Sequence, residues 1–224
     1  MFNISNNTNL LILSPHPDDE ILGCGGLMSK VKSNNGKVHV LLFTYGYASQ
    51  SSTRRQEFEN VMNYMNVDSH SCLYHDRYHS RLDEIGVYDI IQNIEKSIRA
   101  LKPTICAIPF PSFHQDHRAV YEAAIAALRI PTHIEKYALP QVIVYEYPQV
   151  SWSLYEPFFV PNMYVDINSE IEIKLKAFEL YYSQNKSNDH AISKNGINAL
   201  SSYRGKEISA QNAEAYILKR GIVV

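Results

Sequence analysis

The sequence predicts an α/β fold, Rossmann-like, with a mostly parallel sheet flanked by helices and a C-terminal elaboration. Short apolar runs alternate with segments of helical period, a pattern that builds right-handed βαβ crossovers. The pattern then changes after Pro157. A chain of 224 residues is long enough for one sizeable core, so residues 1–224 are read as one domain. Within it, 1–150 forms the core and 151–224 the elaboration.

The elements follow in chain order. LLIL, residues 10–13, reads as a buried strand stopped by Ser14-Pro15. From Pro17 onward ILGCGGLMSKVKSN reads as a helix whose glycines allow close approach to the sheet, and SNNG ends it. KVHVLLFTYG is a second strand. After the polar loop YASQSS, TRRQEFENVMNYM is a helix with Phe58, Val61, Met62 and Met65 on one face. Val87, Ile91, Ile94, Ile98 and Leu101 form the clearest amphipathic stripe, closed by Pro103. TICAIPF is the next strand, HRAVYEAAIAALR an Ala-rich helix stopped by Pro131, and QVIVYEY a further strand. In the C-terminal part MYVDI reads as a strand and EIEIKLKAFELYYSQ as a helix. A loop rich in Asn, Ser and Gly follows, and then a closing helix around AEAYILKR.

Composition narrows the function classes. A net charge of −2 without any basic block argues against a nucleic-acid binder. Partners are expected to be a small molecule or a second copy of the chain, as a homo-oligomer. The polar start MFNISNNTN does not read as a signal peptide, and no apolar run reaches the ~18 residues of a membrane span. Cys24, Cys72 and Cys106 are odd in number and widely spaced, as reduced thiols of a cytoplasmic protein would be. The 16 tyrosines suit amphipathic packing first and sugar-stacking platforms second.

Two clusters carry chemistry: His16-Pro-Asp-Asp-Glu20 after the first strand, and His114-Gln-Asp-His117 a few residues after TICAIPF. Ligands of open α/β sheets bind at the carboxyl ends of the strands, where both clusters fall. Alone, Asp18, Asp19 and Glu20 are equally well first-turn acids favouring the helix dipole, worth ~0.3–1 kcal/mol each, and HxxH alone is weak. Together, at two strand-to-helix junctions, imidazoles and carboxylates point to a divalent metal site with an open position. GCGG lacks the GxGxxG spacing, and neither GxxxxGK[ST] nor GxSxG occurs.

HPDDE before a glycine-containing helix, combined with HQDH, resembles the LmbE-like (PIG-L) family of metal-dependent N-acetylglucosaminyl deacetylases. TRRQEFENVMNYM, the YSQ after KLKAFELY and the closing RGKEISAQNAEAYILKR extend the resemblance from about residue 10 to residue 220. It implies His16, Asp19 and His117 as ligands of Zn2+, with Fe2+ compatible with the same donors. It implies Asp18 as general base and His114 as the group that stabilises the oxyanion or protonates the leaving amine. Asp116 matches an aspartate that pairs with and orients that histidine. The family often has proline where this chain has Gln115. The implied activity is removal of an acetyl group from an N-acetylated amino sugar. A zinc ion that lowers the pKa of its water to ~7, a carboxylate base worth ~10²–10⁴-fold, and an imidazolium facing the oxyanion make chemical sense of it. A carboxylate behind that imidazole would keep it protonated. The alternatives are an amidase acting on a non-sugar amide and a non-catalytic sugar-binding protein of the same fold.

Other residues are weighed against plainer roles. Arg54, ahead of Arg55, is expected to grip a substrate hydroxyl or phosphate, although helix-start arginines are usually solvated. Glu20 is expected to support the site without ligating. His70, His75 and His79 sit in a polar segment that borders the site at most, His39 packs within a strand, and Tyr45 and Tyr47 either stack on a sugar or pack at the rim.

Overall fold

The fold is described from a computed structural model, over residues 4–129, 139–148 and 158–222. Pro131, expected to stop a helix, Pro157, after which the pattern changes, and the boundary at 150/151 lie outside these residues. Among the described residues there are seven strands, β1 (Asn9–Ser14), β2 (Lys37–Leu42), β3 (Ser69–Cys72), β4 (Ile105–Pro109), β5 (Gln141–Tyr145), β6 (Met163–Asp166) and β7 (Ala213–Gly221). They form one sheet in the order β3-β2-β1-β4-β5-β7-β6. β1 to β5 run parallel, while β7 lies antiparallel between β5 and β6. The helices are α1 (Asp19–Ser33), α2 (Ser51–Tyr64), α3 (Val87–Leu101), α4 (Gln115–Ala127), α5 (Ile171–Glu179) and α6 (Lys194–Lys206). α1, α2 and α5 pack together on one side, and α3 with α4 on the other. Right-handed crossovers require this division once the strand order reverses beside β1. β1 pairs with β2 on one side and β4 on the other, so the crevice between the carboxyl ends of β1 and β4 is the topological switch point.

Leu10 to Leu13 are fully buried, which explains the continuous apolar run of a central parallel strand. In α3 the core face is Ile90, Ile94 and Ile98, with Ile91 and Leu101 partly buried. Val87, expected in the stripe, is exposed. The glycines of α1 do what the sequence suggested: a Cβ on Gly23 would sit 2.1 Å from the Tyr145 ring, and one on Gly26 would sit 2.4 Å from Ile167.

Midway along α1 a buried charge pair grips the helix backbone. The N–H groups of Gly26 and Leu27 donate to the two oxygens of Glu214, each at 2.8 Å. The carbonyls one turn earlier, of Leu22 and Gly23, accept from Lys174 Nζ at 2.9 Å and the Tyr216 hydroxyl at 3.2 Å. Lys174 and Glu214 close the set at 2.7 Å. A buried pair is tolerable only when its remaining donors and acceptors are satisfied, as they are here. It also fixes α1 to α5 and β7.

Three expectations are corrected. AEAYILKR is not a helix but most of β7; Ala213, Glu214, Ala215 and Tyr216 are all buried, in a strand that pairs with β5 and β6 at its edges and against which α1 and α6 pack. Tertiary pairing with β5 and β6 overrides the helix propensity of Ala-Glu-Ala. The stretch read as loop contains α6, capped by Ser193 Oγ accepting from Gly196 N at 3.0 Å. The polar SHSC, read as part of a loop segment, is edge strand β3.

Gly26→Ala is expected to destabilise the fold by about 1–3 kcal/mol, since overpacking against Ile167 outweighs the gain of roughly 0.5–1 kcal/mol in helix propensity. Gly86→Ala, whose new Cβ would find Asp89 Oδ2 at an ordinary 3.5 Å, should stay within about 0.5 kcal/mol of the parent. Urea unfolding of the two variants checks the contrast.

Candidate active site

A cavity of about 330 Å³ opens at the switch point and is lined by His16, Asp18, Asp19, Arg54, His114 and His117 among others. β1 ends at Ser14 and α1 begins at Asp19, so the HPDD turn spans the gap, with His16, Asp18 and Asp19 lining the crevice. Asp18 adopts φ 115°, a left-handed-side conformation that non-glycine residues rarely hold and that typically costs about 1–3 kcal/mol. The second cluster begins α4, with His114 as its N-cap.

Asp19 sits at the centre. Its Oδ2 lies 3.3 Å from His16 Nδ1 and 3.3 Å from His117 Nε2, and it accepts the backbone N–H of His16 at 3.0 Å. Burial alone would raise its pKa, but the His117 and His16 rings beside it hold the carboxyl well below the usual range. Ligand atoms of His16, Asp19 and His117 all fall within 4.8 Å of one another, and all three residues are buried. A tetrahedral ion with bonds of ~2.0–2.1 Å has edges of ~3.3 Å, so the spacings about Asp19 fit such a centre. Two imidazoles and a carboxylate are also the donors a borderline divalent ion takes. His117 Nδ1, buried without a hydrogen-bond partner, leaves Nε2 as the nitrogen turned to the cluster.

The structure brings the other expected residues together, with two changes. The Asp116 carboxylate does not pair with the His114 ring. Its Oδ2 is 2.8 Å from His16 Nε2 and accepts from Ser80 N at 2.7 Å, while Oδ1 accepts from Leu82 N at 2.9 Å. Asp116 thus holds the far nitrogen of a candidate ligand, the arrangement that fixes a metal-binding imidazole. His114 is oriented instead by the backbone: its Nδ1 accepts from Asp116 N at 3.2 Å. The second change is in charge state. Burial, and then repulsion from His16 and His117, push His114 down to about 4, so the ring is neutral at pH 7 rather than the expected imidazolium. With Nδ1 accepting, its proton resides on Nε2.

Asp18 is pushed up to about 8 by burial, against the opposing Arg54 charge. Arg54 is itself buried, unlike its exposed neighbour Arg55. Its Nη2 donates to Pro17 O at 2.5 Å and lies 4.0 Å from Asp18 Oδ2. Glu20 is fully buried and turned from the cluster, accepting from the Tyr181 hydroxyl, with Ser14 Oγ at 2.9 Å. Glu57 of the TRRQEFE stretch accepts from Ser183 N and Oγ, each at 2.7 Å, so the two shorter sequence matches meet in space.

Sequence reasoning gave no site role to Tyr147 or to Gln184 of the YSQ stretch, both of which line the cavity. The signal for Tyr147 was its place just past the carboxyl end of β5, where side chains face the crevice. His79 and Tyr47 also line it, whereas Tyr45 and His75 line a separate cavity on the outer side of α2.

The comparisons give the class first, deacetylases of α/β fold, which are hydrolases of amide bonds. The family model described as PIG-L: GlcNAc-PI de-N-acetylase matches residues 11–128, and the chain belongs to that family. It is 25% identical over 182 residues to the uncharacterized deacetylase YaiS of Escherichia coli, covering 78% of this chain and 90% of that one. Its fold is similar to the N,N'-diacetylchitobiose deacetylase of Pyrococcus horikoshii, with a TM-score of 0.75 at 21% identity, over 98% of this chain and 88% of that one. It is equally similar in fold to GalB, the 4-carboxy-2-hydroxymuconate hydratase of Pseudomonas putida, with a TM-score of 0.74 at 15% identity, over 97% and 98%. The fold therefore carries more than one chemistry, and the site has to argue the activity. Among the described residues no helix is long and apolar enough to cross a membrane.

Asp18→Gly should raise the unfolding midpoint of metal-free protein, because it relieves the φ 115° backbone and removes a buried carboxylate. The expected gain is about 1 kcal/mol after glycine's entropy cost of roughly 0.5–1 kcal/mol. A lower midpoint would show that the turn is unstrained.

Proposed function

We propose that the chain is a zinc-dependent deacetylase, with Fe2+ an acceptable substitute, that removes the acetyl group from an N-acetylated amino sugar conjugate of the N-acetylglucosamine type. The observation that carries the reading is the Asp19 carboxylate 3.3 Å from two imidazole nitrogens, with the Asp18 carboxylate beside it in the same cavity.

His16, Asp19 and His117 would hold the ion. When bound, a divalent ion supplies a Lewis acid for the carbonyl oxygen and a water acidic enough to react near neutral pH. Asp18 takes the proton of the attacking water and returns it toward the amine; a carboxylate of raised pKa suits both transfers. His114 donates a hydrogen bond from Nε2 to the developing oxyanion as a neutral ring, a role that needs no imidazolium. Asp116 positions His16, and through its backbone N–H it positions His114. Arg54 keeps the HPDD turn in place through Pro17 and lines the cavity, where it would meet a substrate hydroxyl or phosphate. Residues 1–224 act as one domain in this reading, and the three free cysteines suit a cytoplasmic setting.

The test is free-amine release from a panel of N-acetylglucosamine conjugates by chelated protein, before and after zinc is restored. Zinc-restored release is expected. Asp18→Asn should lose about 10²–10⁴-fold in turnover while binding zinc stoichiometrically. Cleavage of simple amides but of no sugar conjugate would instead favour the non-sugar amidase. Full turnover by Asp18→Asn would take that residue out of the chemistry.

A further inference from the structure

A second cavity, of about 620 Å³, opens on the outer side of α2, apart from the proposed metal centre. α2 contributes Ser52, Arg55 and Glu59 to its lining, and the segment after β3 contributes His75 and Asp76. Tyr45, past the carboxyl end of β2, joins the two sides. The Arg55 guanidinium lies over its ring, 5.8 Å from the centroid, and the His75 ring is 5.9 Å away. The two cavities share a wall. Of residues 45–55, Tyr45, Ser51 and Arg55 line this one, while Tyr47, Gln50 and Arg54 line the other.

Tyr45, Arg55 and Asp76 each lack a partner that ordinary packing would give them. Tyr45 is only 6% exposed, and burial pushes its pKa up to about 12, so it stays a neutral hydrogen-bond donor. Its hydroxyl has no hydrogen-bond partner among the described residues, yet it is not one of the atoms sealed from solvent, so it opens into the cavity. A ring needed only for packing would do better as phenylalanine. Arg55 and Glu59 stand four apart on α2, the spacing of a helical ion pair, but Glu59 turns to His70 at 3.3 Å. Arg55 and Asp76 are left facing one space, and among the described residues neither makes an ion pair. α2 also starts without a side-chain cap and without an acid in its first turn, which leaves its N–H groups and its dipole to an anion.

We propose that this cavity is a second binding site, for an α-amino acid or a similar small zwitterion. Arg55 and the uncapped start of α2 take the carboxylate, the Tyr45 hydroxyl donates to it, and Asp76 takes the ammonium. The charges select the class. An anion alone would be opposed by Asp76 and a cation alone by Arg55, whereas a ligand that bears both signs satisfies both residues. The aromatic faces of Tyr45 and His75 supply the apolar part of the lining.

The test is ligand-observed NMR and calorimetry with three probes that share one ring, on zinc-loaded and on chelated protein. L-Phenylalanine carries both charges, 3-phenylpropanoate the carboxylate alone, and 2-phenylethylamine the ammonium alone. L-Phenylalanine is expected to bind once per chain, about 10-fold tighter than either other probe and equally well with or without zinc. Arg55→Gln and Asp76→Asn should each weaken it about 5–10-fold, and Tyr45→Phe about 3–10-fold. All three variants should keep the parent unfolding midpoint. Propanoate binding as tight as that of the amino acid would reduce the cavity to an anion site and overturn the proposal. Affinity that Arg55→Gln and Asp76→Asn leave unchanged would also overturn it, as would binding that disappears with zinc and so belongs to the metal centre. Failure of L-phenylalanine and of every other natural amino acid to bind at millimolar concentration would do the same.

Discussion

Three consecutive buried acids at the start of α1 are the constraint around which the molecule is arranged. Asp18, Asp19 and Glu20 are each less than a tenth exposed. Removing a carboxylate from water costs several kcal/mol unless partners replace the lost hydration. Those partners arrive from every part of the chain. His16 follows β1, His117 comes from α4, Arg54 from α2, and Tyr181 from the turn after α5. The convergence of these elements on one crevice is thus a requirement of the HPDDE stretch, and the proposed divalent ion among His16, Asp19 and His117 would add the remaining positive charge.

Supports radiate outward from there in identifiable contacts. Asp116 joins His16 to the backbone at Ser80 and Leu82, so a candidate ligand and the segment between β3 and α3 share one carboxylate. Glu57 joins α2 to the segment following α5. Glu214 and Lys174 seize the backbone of α1 a turn and a half beyond the acids, setting the helix's position against β7 and α5. Each link is a charged group satisfied by backbone or by an opposite charge, which suits a site whose geometry has to survive the loss and return of an ion.

The core was legible because its signals are local. β1, β2, β4 and β5 are apolar runs, and α3 is an amphipathic stripe, so period and composition sufficed. The site was legible for a different reason: His16 to Glu20 and His114 to His117 are dense clusters at strand ends, where the topology places ligands. What escaped depended on non-local pairing. Ala213–Gly221 looks helical until β5 and β6 are both present to pair with it. α6 contains Gly196 and Gly205, which are needed where the chain runs against Ala191 and Gln211 and which dilute its helical pattern. The orientation of Asp116 toward His16 rather than His114 could not be read from HQDH, because residues two apart in sequence do not reveal which of two imidazoles a carboxylate faces. The hydrogen bond from Gln115 to the Ser80 carbonyl joins residues 35 positions apart and leaves no sequence pattern.

The central claim is that the acids of α1 and two histidines make a metal centre. X-ray absorption at the zinc edge of stoichiometrically loaded protein tests it most directly. Two imidazole nitrogens with an oxygen shell at ~2.0–2.1 Å, reduced to one imidazole in His117→Ala, is the predicted result. Sulfur ligation, or a spectrum that His117→Ala leaves unchanged, would contradict it and return HPDDE to the status of a helix start.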